Sequence, residues 1–331
     1  MKFRICFVLL ILCFSFFSFS QDTCLLFKKN EIVAITIRLR LKEFLSDRSI
    51  ESKYFDADVC LPGGQVLSAQ IKTRGKYRNS ESHCKYPPVM LRFNSNLTTG
   101  TIFEGIERLK VVTECSMPEL IKRELFVYKA FGILTNFSFL TREAIIRFQD
   151  LSDSSICVES SAFFIEPVEA LALRTRAKVL DFEMIQSDLL QPEQITRIYL
   201  FNYMVGNLDW DIETDKNLAF LYFNDSVYVV PYDFDFAAIL YVQGQNEKML
   251  LDKNPYHNMV LRRLCRSKKE YKNAVKEFRY HKKSMYKILN NIDIAKESKG
   301  FMKNYLFRYY FRMKNPVFLH RHLYKQCTPK N

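Results

Sequence analysis

The run from Gly206 to Ala237, GNLDWDIETDKNLAFLYFNDSVYVVPYDFDFA, constrains this chain more than any other stretch, because it gathers the densest set of carboxylates around a short hairpin. An apolar, helix-like segment from Ile195 to Val205 leads into it. Two β-like runs, Leu218 to Phe223 and Val227 to Val230, flank Asn224-Asp225-Ser226, which has the composition of a turn. Pro231 ends the second run, since proline has no N–H to give to a ladder. The strand pair therefore carries Asn217 at its entrance and Asp233 at its exit. Both side chains are expected at one end of the hairpin, beside Asp209, with Asp235 just beyond.

Such a placement suits a hard divalent cation. Mg²⁺ takes oxygen ligands, usually only one or two of them carboxylates, and fills its shell with phosphate oxygens and water. A further Asp is then free to orient a nucleophile. Protein kinases divide the labour in this order, from the catalytic-loop Asp, to the Asn of that loop, to the Asp of DFG after a short strand pair. Here Asp, Asn, strand, strand, Asp follow in the same order with a different spelling: seven residues separate Asp209 from Asn217 where the kinase loop has four, and neither HRD nor DFG occurs. The same residues also read as a solvated acidic turn at Asp211, Glu213 and Asp215, with Asp233 and Asp235 flanking a sheet corner, as acidic side chains mostly face water.

Three motifs in order resemble the CotH family, the spore-coat-H-type atypical kinases, and more closely its exported relatives with the pattern GNTDW…HN…PYDFDFSG. The chain reads Gly206-Asn-Leu-Asp209-Trp210, then Lys216-Asn217, then Pro231-Tyr-Asp233-Phe-Asp235-Phe-Ala237; it departs at Leu208, Lys216 and Ala237-Ala238. A second point of similarity, to RGN-x-R…C-x-x-PP-L-x-L-x-F, is Arg74-Gly75-Lys76-Tyr77-Arg78 followed by Cys84-Lys85-Tyr86-Pro87-Pro88 and Val89 to Phe93. The third, to LKLV…C…L-x-E-x-L-A-Y-K, is Leu109-Lys110-Val111-Val112 with Glu124 to Lys129. The resemblance spans roughly Arg74 to Ala237. It implies a two-lobe, α+β, atypical protein-kinase-like fold, with a mainly β amino lobe and a mainly α carboxy lobe. It further implies transfer of a phosphoryl group from a nucleoside triphosphate such as ATP, with Mg²⁺ or Mn²⁺, to a protein hydroxyl. Asp209 would be the base. Asn217 and Asp233 would hold the metal, with Asp235 as second candidate. Lys110, the Arg74 and Arg78 cluster and the Lys110–Glu124 pair would serve the nucleotide phosphates, with Arg92 as a further cation in reserve. A disulfide between Cys84 and Cys115 follows from the same resemblance.

The remaining elements can be placed by pattern. Glu31 to Leu39 reads as a strand leading to a short helix that ends near Asp47, and Tyr54 to Leu61 and Gln65 to Thr73 bracket a Pro62-Gly63-Gly64 turn. In a kinase-like amino lobe that turn would cover phosphates. Arg74, Lys76 and Arg78 alternate, so on an extended segment they share one face. Ile106 to Thr113 reads as a strand and Pro118 to Leu134 as a helix, with Ser116 and Glu119 as its capping box. Ala144 to Phe148 and Ser161 to Ile165 read as adjacent strands, ending at Glu166, where the lobes change and the backbone would meet adenine. Residues 168 to 205 are helix-rich, with Pro192-Glu193 opening the segment that delivers Asp209. Tyr271 to Asn290 and Ile292 to Arg312 read as basic amphipathic helices. The organisation expected is therefore 1–20 signal peptide, 21–166 amino lobe and 167–331 carboxy lobe.

Met1-Lys2-Phe3-Arg4, the apolar Ile5 to Phe17 and Ser18-Phe19-Ser20 have the layout of a cleaved export signal, so a periplasmic, envelope or secreted location is expected, with no membrane span after cleavage. Seven cysteines would follow the cleavage point, none at zinc spacing, which favours bridges in that setting. From Tyr241 to Asn331 the chain carries 22 Lys and Arg against 6 Asp and Glu. A basic segment behind an acidic site draws in polyanions such as an acidic protein substrate or an envelope component. No recognition motif accompanies the charge, so nucleic acid is not an expected partner. Two other functions stay open: a catalytically inactive, kinase-shaped envelope protein that binds an acidic partner, and a metal-dependent phosphoester hydrolase or transferase. GxSxG is absent and Cys84, beside His83, is assigned to a bridge, so serine- and thiol-enzyme chemistry is not supported.

Overall fold

The computed structural model describes residues 24–49, 52–75, 78–82, 84–115, 119–241, 255–262 and 264–324. In the amino-terminal half, apolar side chains alternate with polar ones, the pattern of strands with one buried face. Val33, Ile35, Ile37 and Leu39 of the first strand point inward, and Ala34, Thr36 and Arg38 outward. The elements are β1 (Val33–Leu39), α1 (Leu41–Ser46), β2 (Phe55–Cys60), β3 (Val66–Thr73), β4 (Val89–Phe93), the single turn α2 (Ser95–Thr98), β5 (Arg108–Thr113), α3 (Leu120–Gly132), β6 (Thr141–Asp150) and β7 (Cys157–Ile165). The seven strands close into a barrel in the order β1-β2-β3-β4-β5-β7-β6. β1 runs parallel to β6, and the other neighbouring strand pairs of the barrel are antiparallel.

The carboxy-terminal half has α4 (Val168–Thr175), β8 (Lys178–Leu180), α5 (Pro192–Val205), β9 (Leu218–Phe223), β10 (Ser226–Pro231), α6 (Lys268–Asn291), α7 (Lys296–Lys314) and α8 (Pro316–His322). β10, β9 and β8 form a second, three-stranded sheet. α5 begins where expected: Pro192 occupies its first turn, where the missing N–H costs nothing, and the Gln191 side chain accepts from Gln194 N at 2.5 Å. The fold is thus α+β with two lobes, a mainly β amino lobe and a mainly α carboxy lobe, as expected.

Two apolar cores result. One fills the barrel, with Ile37, Val59, Leu91 and Phe148 among its members; the other surrounds α5 and takes in α6 and α7. α3 belongs to the second core, although it lies between barrel strands in sequence: Leu125, Phe126 and Phe131 are buried there. Polar ties add to this. Arg123 of α3 donates to Leu240 O at 2.7 Å and to Ser298 Oγ at 2.7 Å, and Lys122 pairs with Asp293 at 3.0 Å.

Some local expectations need correction. α3 starts at Leu120, with Glu119 left-handed (φ +67°) just before it, so Glu119 is not a third helical residue. Its carboxylate instead accepts from Ala295 N at 2.5 Å and Ser298 Oγ at 3.0 Å, and pairs with Arg123. The capping box lies at α6, where Ser267 and Glu270 satisfy each other's backbone N–H groups. Ile292 ends α6 rather than opening α7, whose first residue is Lys296. The expected signal peptide, Lys76, His83, Ser116 to Pro118 and Cys327 lie outside the described residues.

Cys84 and Cys115 form a disulfide, with Cα atoms 4.6 Å apart, that ties the segment before β4 to the end of β5. Among the described residues, Cys24, Cys60 and Cys157 form no disulfide. Among the described residues, no helix is long and apolar enough to cross a membrane.

Candidate active site

α5 stops at Gly206, which is left-handed (φ +68°), and a methyl group there would overlap the Tyr305 hydroxyl and touch Ala238 Cβ. The chain then turns on the buried Asn207. Its backbone N–H donates to Asn202 O at 2.9 Å and its amide to Asn202 Oδ1 at 3.0 Å. Asn207 Oδ1 accepts from Asp209 N at 3.0 Å, and its carbonyl accepts from Trp210 Nε1 at 3.2 Å. Every hydrogen-bonding group of Asn207 except one amide hydrogen therefore builds the loop that presents Asp209. The Asp209 carboxylate pairs through Oδ1 with Lys216 Nζ, and its Oδ2 accepts from Asn217 Nδ2 at 3.0 Å. The same amide donates to Asp209 O at 2.6 Å.

The hairpin delivers the other residues. β9 and β10 pair from Ser226↔Phe223 to Pro231↔Leu218, so Asn217 and Tyr232 leave the mouth side by side, with Tyr232 N donating to Asn217 O at 3.1 Å. Asn217 (φ +56°) and Asp233 (φ +60°) are both left-handed, a conformation costing about 1 kcal/mol or more that short polar side chains tolerate best. Asp233 N donates to the hydroxyl of the buried Tyr128 at 2.8 Å. Among the described residues, no hydrogen bond or ion pair engages the Asp233 carboxylate or Asn217 Oδ1.

Asp235, two residues on, is in a different situation. It is buried and pairs with Arg78 Nε at 3.1 Å, while the Arg78 Nη2 meets Glu124 Oε2 at 3.0 Å. Burial opposes the Arg78 charge, but Glu124 and Asp235 overcome it and hold the guanidinium protonated. Burial, then the Asp233 charge, push the Asp235 carboxyl well up, against Arg78. Glu124 is also raised, by burial first, with Arg78 opposing and Asp233 adding. Asp233 thus works against both acids, and a cation beside it would relieve them.

The roof of the cleft is the outer face of β4 and β5. Lys110 stands over the Tyr232 ring at 4.3 Å from its centroid. Burial, reinforced by the Arg74 charge, brings its ammonium down to about 8, with Asp233 and Glu169 resisting. Met90, Arg108 and Lys110 above, Leu218 and Phe220 below, and Glu166 and Val168 behind line a cavity of about 330 Å³, within the range of small-ligand sites.

The Lys110–Glu124 pair expected from sequence does not form. Arg78 holds Glu124, and the charges felt by Lys110 are Arg74, Asp233 and Glu169. Arg74 and Arg78 do converge on this region, but not by alternation along a strand: β3 ends at Thr73, and Gly75 turns the chain (φ +88°). Arg92 is elsewhere, bonded to Gln70 at 3.0 Å and stacked on Tyr54 at 4.2 Å. Gly63 and Gly64 lie at the opposite end of β3 from Arg74, about 30 Å away at strand rise, and do not line the cavity. Glu166 lines the cavity, yet its carboxylate is bound by Arg174, through Nε and Nη2 at 2.9 Å each, and by Leu140 N at 2.9 Å; its own N–H donates to Leu140 O. Its side chain ties Arg174 of α4 to the Leu140 backbone just before β6.

Among the described residues, no three carboxylate, imidazole or thiol groups converge as a ready-made ion cage. The unengaged oxygens of Asn217 and Asp233 still fit a Mg²⁺ or Mn²⁺ ion whose other ligands are phosphate and water. Asp235, held by Arg78, does not fit that role. Sequence reasoning missed Lys216, whose only signal was its place beside Asn217, and Tyr128, a residue of the Glu124-to-Lys129 motif.

No protein-family model matches the chain, and no curated protein does. Among solved structures it is similar to a Helicobacter pylori proinflammatory kinase, CtkA, at 12% sequence identity and a TM-score of 0.41, covering 76% of this chain and 93% of that one. The likeness is a distant one of fold.

Proposed function

We propose that the cleft transfers a phosphoryl group from Mg²⁺- or Mn²⁺-bound nucleoside triphosphate, ATP as the expected donor, to a protein hydroxyl, on lobes formed by residues 21–166 and 167–331 of an exported chain. The observation that carries this reading is the pair of unengaged oxygens on Asn217 and Asp233, set beside a hydrogen-bonded Asp209 and next to a cavity roofed by Lys110. Asp209 is the base: it accepts the proton of the acceptor hydroxyl, and Lys216 and Asn217 orient its carboxylate. Asn217 and Asp233 hold the metal, which when bound neutralises phosphate charge. Lys110 and Arg74 meet the phosphates from above, and Arg78 fixes Glu124 and Asp235 behind them. Preorganised charges of this kind carry most of the catalysis in phosphoryl transfer.

The test is a thermal-shift titration of the protein with ATP and Mg²⁺ or Mn²⁺. A ligand at about 100 times its Kd stabilises by about 2.7 kcal/mol. Wild type and Asp209→Asn should shift, and Asp233→Asn should not; absence of any metal-dependent shift in wild type contradicts the reading. A second reading, an inactive protein that binds an acidic partner, is favoured by the exposed lysines along α6, among them Lys268, Lys269, Lys272 and Lys283. It predicts salt-sensitive association with a polyanion such as heparin and no nucleotide response.

A further inference from the structure

Arg262 precedes α6 in the carboxy lobe and reaches the loop that carries Asp209. Its two terminal nitrogens donate to the carbonyls on either side of that residue, Leu208 O at 2.8 Å and Trp210 O at 2.5 Å. Its guanidinium lies 4.9 Å from the centroid of the Trp210 ring, and Asp211 stands 3.8 Å away. Trp210 is buried, edge-on to Tyr199 at 4.9 Å between centroids, and is the single tryptophan of the chain.

Leu208 O and Trp210 O belong to neither a helix nor a ladder of the named strands. A planar guanidinium can satisfy both at once while stacking on the indole, whereas an ammonium offers no rigid fork and no flat face. Two peptide carbonyls, one before and one after Asp209, are therefore held by one side chain from outside the loop. We propose that Arg262 is a positioning residue for Asp209: it fixes the backbone on both sides of the base, so that the carboxylate keeps its orientation at Lys216 and Asn217. The effect on rate rests on the phosphotransfer reading; the effect on the loop does not.

The experiment compares the full chain with Arg262→Met and Arg262→Lys by three readouts. These are acrylamide quenching of Trp210 fluorescence, the Kd for Mg²⁺-ATP, and initial rates with dephosphorylated casein as acceptor probe. Arg262→Met should expose Trp210 to quencher about twofold more and lower kcat by about tenfold or more, since small misplacements of a catalytic group cost up to about a hundredfold. Mg²⁺-ATP affinity and acceptor KM should stay within about twofold, a separation that a general loss of stability would not give. Arg262→Lys keeps the charge and should restore stability without restoring kcat; if Arg262→Met does not fold, this variant carries the test. Unchanged kcat together with unchanged quenching in either folded variant overturns the proposal. Should wild type bind no Mg²⁺-ATP and transfer nothing, the phosphotransfer reading has failed instead, and the quenching comparison alone decides whether Arg262 holds the loop.

Discussion

Asp233 and Asp235 are two residues apart on the same turn, and they sit in opposite regimes. Asp235 is buried against Arg78 and Glu124 in a dry node, its carboxylate taken up by protein. Asp233 is half-buried at the hairpin mouth, strained at φ +60°, with its carboxylate unengaged among the described residues. A buried acid with its counter-charge holds structure together. An acid left without one, and pressing on its neighbours, is where an added cation gains most. The difference teaches that the two acids of the PYDFDF stretch divide into one whose carboxylate is taken up by an ion pair and one whose carboxylate is not.

Removing the counter-charge from the dry node should have the largest effect. Arg78→Met leaves Glu124 and Asp235 buried without a partner and should lower unfolding stability by about 3–5 kcal/mol in a denaturant titration. A loss below about 1 kcal/mol would make the node an ordinary surface pair. Next comes the bridge across this region: Cys84→Ser opens a disulfide spanning 31 residues and should cost about 3–4 kcal/mol by the same measurement.

The open rim should respond to pH instead. Lys110 titrates near 8, below its ordinary 10.5, because burial and Arg74 disfavour its charge. Below about pH 8 both folded and unfolded chains carry the proton. Between about 8 and 10.5 the unfolded chain binds more protons than the folded one, so this group makes the ligand-free protein more stable as pH rises through that window. Under the proposed function the phosphates meet the charged form, so Mg²⁺-ATP affinity should fall by up to about tenfold per pH unit above 8. Lys110→Met should remove that slope, and a wild-type affinity flat from pH 7 to 9.5 would place the phosphates elsewhere. The smallest stability effect belongs to Asp233→Asn, which removes a charge that opposes Glu124 and Asp235: its denaturation midpoint should match or slightly exceed that of wild type, within about 1 kcal/mol.

Much of this was legible in the chain. The apolar, β-branched run from Glu31 to Leu39 marked a strand that is β1, Val33–Leu39, and turn chemistry at Asn224-Asp225-Ser226 set the hairpin in which Leu218 pairs with Pro231. The placement of Asn217 beside Tyr232 at the hairpin mouth followed from that hairpin alone. What failed were choices among cations. Arg78 and Lys110 are both basic residues in the amino-terminal half, and nothing in local pattern says which reaches Glu124, because Gly75 redirects the chain between β3 and Arg78. Arg262 was invisible for another reason: it bonds backbone carbonyls, which every residue has, so no side-chain motif records the contact. Glu119 was misread because a Ser-to-Glu spacing of three predicts a cap only if the helix starts where the pattern says.

The most direct measurement is an electron paramagnetic resonance titration of Mn²⁺ into the protein saturated with a non-hydrolysable ATP analogue. Wild type and Asp235→Asn should bind Mn²⁺ alike, and Asp233→Asn should bind it at least about tenfold more weakly, because an amide oxygen brings no negative charge to the cation. Equal Mn²⁺ affinity in Asp233→Asn and wild type, or loss only in Asp235→Asn, would contradict the assignment of the cation to the hairpin mouth.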